Sequence, residues 1–305
     1  MKENSGSNSR VVEVINFLAA YPTESFTLSE LASHLGLSNG SAHRVLTALT
    51  NASFLSRHPK HKTYSLGVAL VGVGQAAMEQ HPGVVIARKE ISRLADELKG
   101  QFLVTVQVGD ELLFVAREGV PHNYDGLIRV GERFPFVPPM GLGFVAWSDS
   151  KTVTAYLAEA DRLLGSTVTE YLHTALEEIR KRGINIAALG KAVTDVRRVT
   201  TDPHSRIRDD VSSGKIKQLI SEFALREIQL LDLEDVGADG ISHLSAPVFS
   251  SAGDIVLELT ASALPANLSV KEIELYISRL RASAAFVTAE IHGRSPRTRP
   301  VAAIG

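Results

Sequence analysis

The stretch LASHLGLSNGSAHRVLTAL, residues 31–49, decides the fold of the first part of the chain. Two segments with the apolar spacing of a helix meet here at a single glycine, Gly36, where a left-handed residue commonly ends a helix. Residues 27–30, TLSE, form a capping box before the first segment, and Ser38 can cap the second. The pattern predicts two helices and a tight turn, which is either a helical hairpin within a core or a helix-turn-helix that binds DNA.

The segments on either side favour the second interpretation. An earlier helix with buried positions Val11, Val14, Ile15 and Leu18 ends before Pro22. Behind the quoted stretch, FLSR, HPKH and KTYSL are typical of a strand, a turn and a strand. Three helices followed by a β-hairpin in about 60 residues predict a winged helix-turn-helix, a fold that places its third helix in the major groove of DNA.

The outward face of the third helix supplies the candidate DNA contacts. At 100° per residue, Gly40, Arg44, Thr47 and Asn51 point away from the apolar stripe. Glycine and serine allow the helix amino end to approach phosphates, and arginine can donate two hydrogen bonds to guanine. Together with basic residues of the arm and wing, the predicted DNA-binding set is Arg10, Ser38, Asn39, Gly40, Ser41, His43, Arg44, Thr47, Arg57, Lys60 and Lys62.

Length and composition set the frame for the remainder. A chain of 305 residues is long enough for about two domains. It contains no cysteine, which excludes disulfides and thiolate metal sites, and its net charge of −2 does not identify a partner. Residues 1–67 carry six basic and four acidic side chains, or +2, so the remainder carries −4. We see no secretory signal and no bilayer-spanning apolar run, and we therefore expect a cytoplasmic protein without a membrane partner.

The second half alternates strand and helix patterns. A hairpin is predicted where the turn Gly109-Asp110 lies between the strand patterns QFLVTVQV and ELLFVAREG. A third strand is predicted at GLIRV and a loop at GERFPFVPPMGLG. Helices are predicted at about 141–160, 169–182 and 269–292, and strands at ISHLSAPVF and DIVLELTAS. Antiparallel hairpins interleaved with helices predict an α+β domain of the kind that binds small ligands.

These patterns predict the following domain organisation. A flexible arm covers residues 1–9, the winged helix covers 10–67, and a linker helix covers 68–87. The second domain covers 88–292 and ends in a disordered tail at 293–305. The linker segment GVALVGVGQAAMEQ is apolar on most sides, so it is expected to pack against something, such as a second chain.

Four motifs in this order resemble the IclR-type transcriptional regulators. They are the helix-turn-helix with its wing, then VGERFPFVPPMGLGFVAW, then LEEIRKRGI, and finally HLSAPVFSSAGDIVLELTAS. The resemblance runs from Arg10 to about His292. It implies an N-terminal winged helix-turn-helix, a C-terminal GAF-like effector-binding domain with an antiparallel sheet, homodimers or homotetramers, and control of promoters by a small ligand.

The resemblance also implies an effector site. Carried over position by position, its residues are Gly141, Leu142, Asp232, Asp235, His243, Thr260 and Ser262. His243 stands where the family has a small residue or cysteine; it is either a donor to a carboxylate ligand or a core histidine bonded to a backbone carbonyl. Phe144 replaces the usual lysine after the loop glycine, and about 184–232 looks like an insertion with a helical pattern from Ile216 to Leu225.

Enzymatic chemistry finds no support in the motifs. The sequence GLGFVA matches G-x-G-x-x-A but follows a Pro-Pro loop, so a dinucleotide site is rejected, and other common catalytic motifs are missing. We expect no cofactor and no metal, since His58 and His61 on the wing lack nearby ligands.

The sequence thus predicts a ligand-responsive transcriptional regulator that binds a near-palindromic operator in double-stranded DNA, and we expect it to act as a repressor. Its effector is expected to be a small organic acid, such as a carboxylate, or an aromatic metabolite. Two alternatives remain open: a DNA-binding regulator whose second domain only oligomerises, and an enzyme on an α+β domain with an accessory winged helix.

Overall fold

The computed structural model describes residues 7–122, 128–188, 228–229, 240–265 and 267–296. The chain divides into two compact units, Met1–His81 and Pro82–Gly305. We call them the first and the second domain and treat each by itself.

The first domain is a winged helix. Its helices are α1 (Ser7–Ala20), α2 (Leu28–His34), α3 (Asn39–Asn51) and α4 (Ala69–Gln80). Its strands are β1 (Phe26–Thr27), β2 (Leu55–Arg57) and β3 (Thr63–Leu66), which pair antiparallel in the order β1-β3-β2. The apolar stripes of the first three helices meet in one core with the wing, centred on the fully buried Leu18, Leu31 and Leu46. The predicted arm is shorter than expected, because α1 begins at Ser7 rather than after residue 9.

The capping box holds the start of α2. The backbone amide of Thr27 donates to Oε2 of Glu30 at 2.7 Å, and the amide of Glu30 donates to Oγ1 of Thr27 at 3.3 Å. At the next helix, the amide of Ser41 donates to Oγ of Ser38 at 3.2 Å. Both helices of the hairpin therefore satisfy amino-terminal amides with their own side chains, which fixes where each helix begins.

Replacing Thr27 with alanine should lower the stability of the first domain by about 1 kcal/mol, because α2 loses its capping acceptor. The measurement is the midpoint of the unfolding transition of that domain in the full chain, followed by circular dichroism in denaturant. Ser56→Ala, at an exposed position of β2, serves as the control. Equal midpoints for the two variants would show that the capping box does not stabilise the domain.

The second domain is built on a seven-stranded antiparallel sheet. The strands are β4 (Gln101–Val108), β5 (Glu111–Glu118), β6 (Arg133–Pro135), β7 (Asn185–Ala188), β8 (Ile228–Gln229), β9 (Ile241–Phe249) and β10 (Ile255–Ser262). They pair in the order β6-β5-β4-β10-β9-β7-β8. The helices are α5 (Pro82–Leu98), α6 (Leu142–Val145), α7 (Ser150–Leu164), α8 (Ser166–Arg182) and α9 (Val270–Glu290). This combination of a winged helix and an α+β domain confirms the predicted fold class.

The two faces of the central strands differ in chemistry. One face carries Phe102, Val104, Leu244, Leu257 and Leu259, which are all buried, and α5 and α9 pack on that side of the sheet. Successive strand residues alternate between faces, so the residues between these lie on the other face. There α6 approaches β9 and β10, while α6, α7 and α8 share a separate apolar cluster that includes Val145, Leu157 and Leu176. We call this second side of the sheet the polar face, because the central strands bury polar side chains there.

The structure differs from two local predictions for the second domain. Residues 128–130 of GLIRV are not in a strand, whereas the neighbouring loop contains β6. The predicted insertion begins with β7, whose four residues are buried between β9 and β8, so 185–188 belong to the sheet. The helical pattern from Ile216 to Leu225 lies outside the described residues.

The tail also differs from its prediction where the structure describes it. The amide of Gly293 donates to the carbonyl of Thr288, and the amide of Arg294 donates to the carbonyl of Ser250. These bonds fasten the start of the tail to the end of α9 and to the turn between β9 and β10. Among the described helices of both domains, none has the length and apolar character that crossing a bilayer would require.

Candidate functional site

The first candidate site is the outer face of α3. Gly40, His43, Arg44, Thr47 and Asn51 are all exposed, while Ala42, Val45, Leu46 and Leu49 face the core. The exposed set combines a glycine that leaves the helix start uncovered with an arginine, a histidine and a short hydroxyl side chain. Ser38 and Asn39, at the amino end of the same helix, are exposed as well. This surface has donors at the spacing of one helical face and is the right size to enter a major groove.

Ser41 and Arg10 occupy positions that the sequence did not predict. Ser41 is buried, and its hydroxyl accepts a hydrogen bond from Nη1 of Arg10 at 2.6 Å. The hydroxyl of Ser41 therefore connects α3 to α1 instead of facing outward with Arg44. Arg10 retains further donors on its guanidinium, so it can still reach a phosphate while it holds α3 in place.

The wing presents a cluster of cationic side chains. Arg57, Lys60 and Lys62 are exposed, and the guanidinium carbon of Arg57 lies 5.5 Å from the ring centroid of Tyr64. In the turn, Nδ1 of His58 accepts from the backbone amides of Lys60 and His61 at 3.3 and 3.1 Å. His58 therefore shapes the turn that carries the lysines. In the described part of the chain, no three histidine, aspartate or glutamate side chains are grouped so that they could hold a metal ion.

The second candidate site is the polar face of the sheet in the second domain. Its central strands bury seven polar side chains: Gln101, Thr105, Asn185, Ser245, Glu258, Thr260 and Ser262. The pairing register places them together, because Ser262 stands opposite both Gln101 and His243, and Thr260 stands opposite Ser245. Nε2 of Gln101 donates to Oγ of Ser262 at 2.8 Å. Burying apolar side chains here would cost less free energy than burying polar ones, so this group of polar side chains indicates a functional surface.

Glu258 lies at the centre of the polar face. Its carboxyl group is fully buried, accepts from Oγ of Ser245 at 3.4 Å, and packs against the backbone of Gly143 in α6. A Cβ atom at Gly143 would lie 1.9 Å from Oε1 of Glu258, so the carboxyl group occupies the space that a side chain there would need. Burial raises the pKa of Glu258 to about 7, while the nearby His243 and the hydroxyl of Ser245 favour the ionised form and limit that rise.

The structure brings together part of the predicted effector site. His243, Thr260 and Ser262 share the polar face through the pairing of β9 with β10. Gly141 caps α6 with a φ of 83° beside the ring of Phe136, and the side chain of Leu142 is buried in the apolar cluster of α6, α7 and α8. Asp232 and Asp235 lie outside the described residues. Five further residues of the polar face were not predicted from the sequence: Glu258, Ser245, Asn185, Thr105 and Gln101.

A cavity of about 860 Å³ lies elsewhere in the second domain, between the end of α8, strands β7 and β9, and α9. Its walls combine an apolar floor with Arg180, Lys181, Arg182 and Arg281. Arg180 donates to the carbonyl of Ala146, which fixes the end of α8 against α6. Of the predicted effector residues that the structure describes, none lines this cavity.

The fold and the exposed helix define a class: a winged-helix DNA-binding protein with a second α+β domain. Residues 7–59 match the family model described as the IclR helix-turn-helix domain. The chain is 27% identical over 262 residues to the glycerol operon regulatory protein of Streptomyces griseus, covering 78% of this chain and 99% of that protein. It is 23% identical over 163 residues to the Pca regulon regulatory protein of Pseudomonas putida, a match that spans only 55% of that protein's length.

Solved structures show the same fold over nearly the whole chain. An IclR transcriptional regulator from Alicyclobacillus acidocaldarius has a TM-score of 0.67 and 21% identity, covering 95% of this chain and all of that one. An IclR homologue from Microbacterium hydrocarbonoxydans, complexed with 4-hydroxybenzoate, has a TM-score of 0.64 and 18% identity, covering 94% of this chain and 99% of that one. These matches show an IclR-type helix-turn-helix domain in residues 7–59 and, over nearly the whole chain, the fold of the solved IclR regulators.

Proposed function

We propose that this protein is a repressor that binds a near-palindromic operator as a homodimer or a pair of dimers, and releases it when a small effector binds the second domain. The effector is a small organic acid or an aromatic metabolite. The observation that carries the proposal is the exposed face of α3, with Arg44 at its centre and the cationic wing beside it.

DNA recognition is supported by two groups of exposed side chains, one placed for bases and one for phosphates. Arg44, Thr47 and His43 can reach base edges from one helical face, whereas Lys60 and Lys62 on the wing suit phosphates or the minor groove. Two half-sites related by two-fold symmetry require two copies of α3, and hence a dimer.

Dimerisation has support from α4. None of its residues is buried within the described chain, although Val71 and Val73 are 70% and 52% exposed and the flanking Val68 is 80% exposed. A helix with this much exposed apolar surface is typical of an interaction surface, and the two-fold operator makes a second copy of the chain its natural partner.

Effector control is supported by the polar face and by a relative. A group of buried polar side chains beside the apolar side chains of Leu103, Phe114 and Phe134 can hold a small ligand with a polar end and an apolar body. The relative from Microbacterium hydrocarbonoxydans is complexed with 4-hydroxybenzoate, an aromatic compound of this kind.

Arg44→Ala should weaken operator binding by about 1–3 kcal/mol, because it removes the donor placed to bind guanine or phosphate. The measurement is fluorescence anisotropy with a duplex that the wild-type protein selects. Arg162→Ala, which removes an exposed arginine of the second domain, is the matched control and should bind as wild type. Unchanged affinity of the Arg44 variant would remove Arg44 from the interface.

Effector control is tested on the same selected duplex. Small acids and aromatic compounds are first screened by the shift they cause in the unfolding temperature of the full chain. A compound that stabilises the protein should also change its affinity for the duplex, since a ligand can shift conformations only by its differential affinity for them. Compounds that stabilise the second domain while leaving DNA affinity unchanged would indicate a domain that only oligomerises.

A further inference from the structure

We propose that the carboxyl group of Glu258 selects the effector, favouring ligands that present a hydroxyl or ammonium donor to it and disfavouring ligands that place a carboxylate against the same part of the polar face. The inference rests on the proposed function, because it concerns the ligand of the second domain. It narrows the effector from an acid or an aromatic compound to an aromatic or similarly apolar compound with a donor group.

The position of the carboxyl group is the first observation. Glu258 is held on one side by the backbone of Gly143 and on the other by Ser245, and only 7% of the residue is exposed. Its neighbours across the strand pairing are Thr105 and Pro247, and the next residue on the same face of β10 is Thr260. A ligand that uses the hydroxyls of Ser245 and Thr260 therefore lies beside this carboxyl group.

Charge is the second observation. Glu258 supplies the acidic group among the described side chains that β4, β7, β9 and β10 bury on the polar face. His243 lies close enough to offset the charge of this carboxyl group. A carboxylate ligand placed beside it would either repel it or require it to hold a proton, and both cost binding energy. A hydroxyl or ammonium donor would instead gain a hydrogen bond in a site shielded from water.

The third observation is a buried hydrogen-bond acceptor on Asn185. Asn185 is 5% exposed and stands opposite Ser245, on the same face as the carboxyl group. Its Oδ1 has no hydrogen-bond partner among the described residues. Burying an acceptor without a donor is costly, so this atom also calls for a donor from a ligand.

The apolar side of the site identifies the body of the ligand. Leu103 stands opposite Thr260 in the pairing of β4 with β10 and belongs to an apolar cluster with Phe114, Ile128 and Phe134. The rings of Phe114 and Phe134 meet edge to face with centroids 5.5 Å apart. This surface suits an aromatic ring, while the donor group of the same ligand turns toward Glu258.

The test compares three probes with the same ring: benzylamine, benzyl alcohol and benzoate. Their affinities for the full-length protein are measured by calorimetry at about pH 8, where the carboxylate form of Glu258 predominates given its pKa of about 7. The variants are Glu258→Gln, which keeps the shape, and Glu258→Ser, which also opens space. The control is Glu118→Gln, a glutamate on the other face of the same sheet that pairs with Arg88.

Wild-type protein and the Glu118 variant should bind benzylamine or benzyl alcohol about tenfold or more tightly than benzoate, and both Glu258 variants should lose most of that preference. An equal preference in wild-type and Glu258 variants would overturn the proposal and leave effector control in place. Failure of all probes to bind any of the proteins would also overturn it, without affecting DNA binding by the first domain. A probe that binds with the expected preference but does not change DNA affinity would support the proposal and contradict effector control.

Discussion

Gly67→Ala is expected to destabilise the first domain by about 3 kcal/mol or more and to abolish operator binding. Gly67 follows β3, and its amide donates to the carbonyl of Phe54 at 2.7 Å. An added Cβ atom would lie 2.1 Å from the carbonyl oxygen of Ser53 and 2.8 Å from the carbonyl carbon of Phe54. Because both contacts are backbone atoms, the methyl group cannot be accommodated by rotating a side chain, and the wing must move away from the end of α3.

The consequence for function follows from the place of this contact. The junction fixes the wing against the turn after α3, so its disruption separates the two elements that are proposed to contact DNA together. Chemical denaturation and DNA anisotropy of the full chain measure both effects. Gly72→Ala in α4 is the matched control for the denaturation measurement, since its Cβ would meet no atom within 4 Å and a helical alanine should gain about 0.5–1 kcal/mol. Wild-type stability in the Gly67 variant would contradict this packing.

Glu258→Gln is expected to reduce the pH dependence of the stability of the second domain between about pH 4.5 and 7. The folded pKa of Glu258 is about 7, above the ordinary value of 4.5 that the unfolded chain has. Between these values the folded state binds more protons than the unfolded state, so the wild-type protein becomes less stable as the pH rises. The shift in pKa corresponds to a decrease on the order of 3 kcal/mol in the free energy of unfolding of the wild-type protein by pH 7 or above. The Glu258→Gln variant does not show this decrease, because its amide does not titrate.

The experiment is denaturant unfolding of the second domain at a series of pH values. As the pH rises, the variant should become more stable than the wild type by an increasing free energy of unfolding. This difference should level off above about pH 7. His243 lowers the pKa of Glu258 through its charge, so a His243→Gln background separates its contribution. Glu274→Gln at an exposed position of α9 controls for the change in net charge. Parallel curves for wild-type and Glu258→Gln proteins would contradict the burial of a carboxyl group.

The first domain could be predicted from the sequence because its signals are local. The capping box at Thr27, the single-glycine turn and the apolar stripes each span a few residues, and together they specify the hairpin and its outer face. The role of Ser41 could not be predicted in this way. Its hydroxyl is buried by Arg10, which precedes it by 31 residues, so only the packing of α1 on α3 shows where it points.

The second domain was harder to predict because its site depends on the order of strands. Thr260 and Ser262 could be paired from their alternation, and Glu258 continues the same alternation in the motif ELTAS. The role of Glu258 is visible only in the sheet, where β10 lies between β4 and β9. This strand order surrounds Glu258 with polar neighbours from other parts of the chain. Strand β7 was missed because NIAA is short, and nothing in its length or polarity separates it from the segment that follows.

The most direct test of the central claim, that α3 reads DNA, is selection from a random duplex library by the full-length protein. We predict enrichment of a motif with two half-sites related by two-fold symmetry, and loss of at least one specified base pair in each half-site when Arg44 is replaced by alanine. Absence of an enriched motif, or the same motif selected with the same strength by the Arg44 variant, would contradict the account.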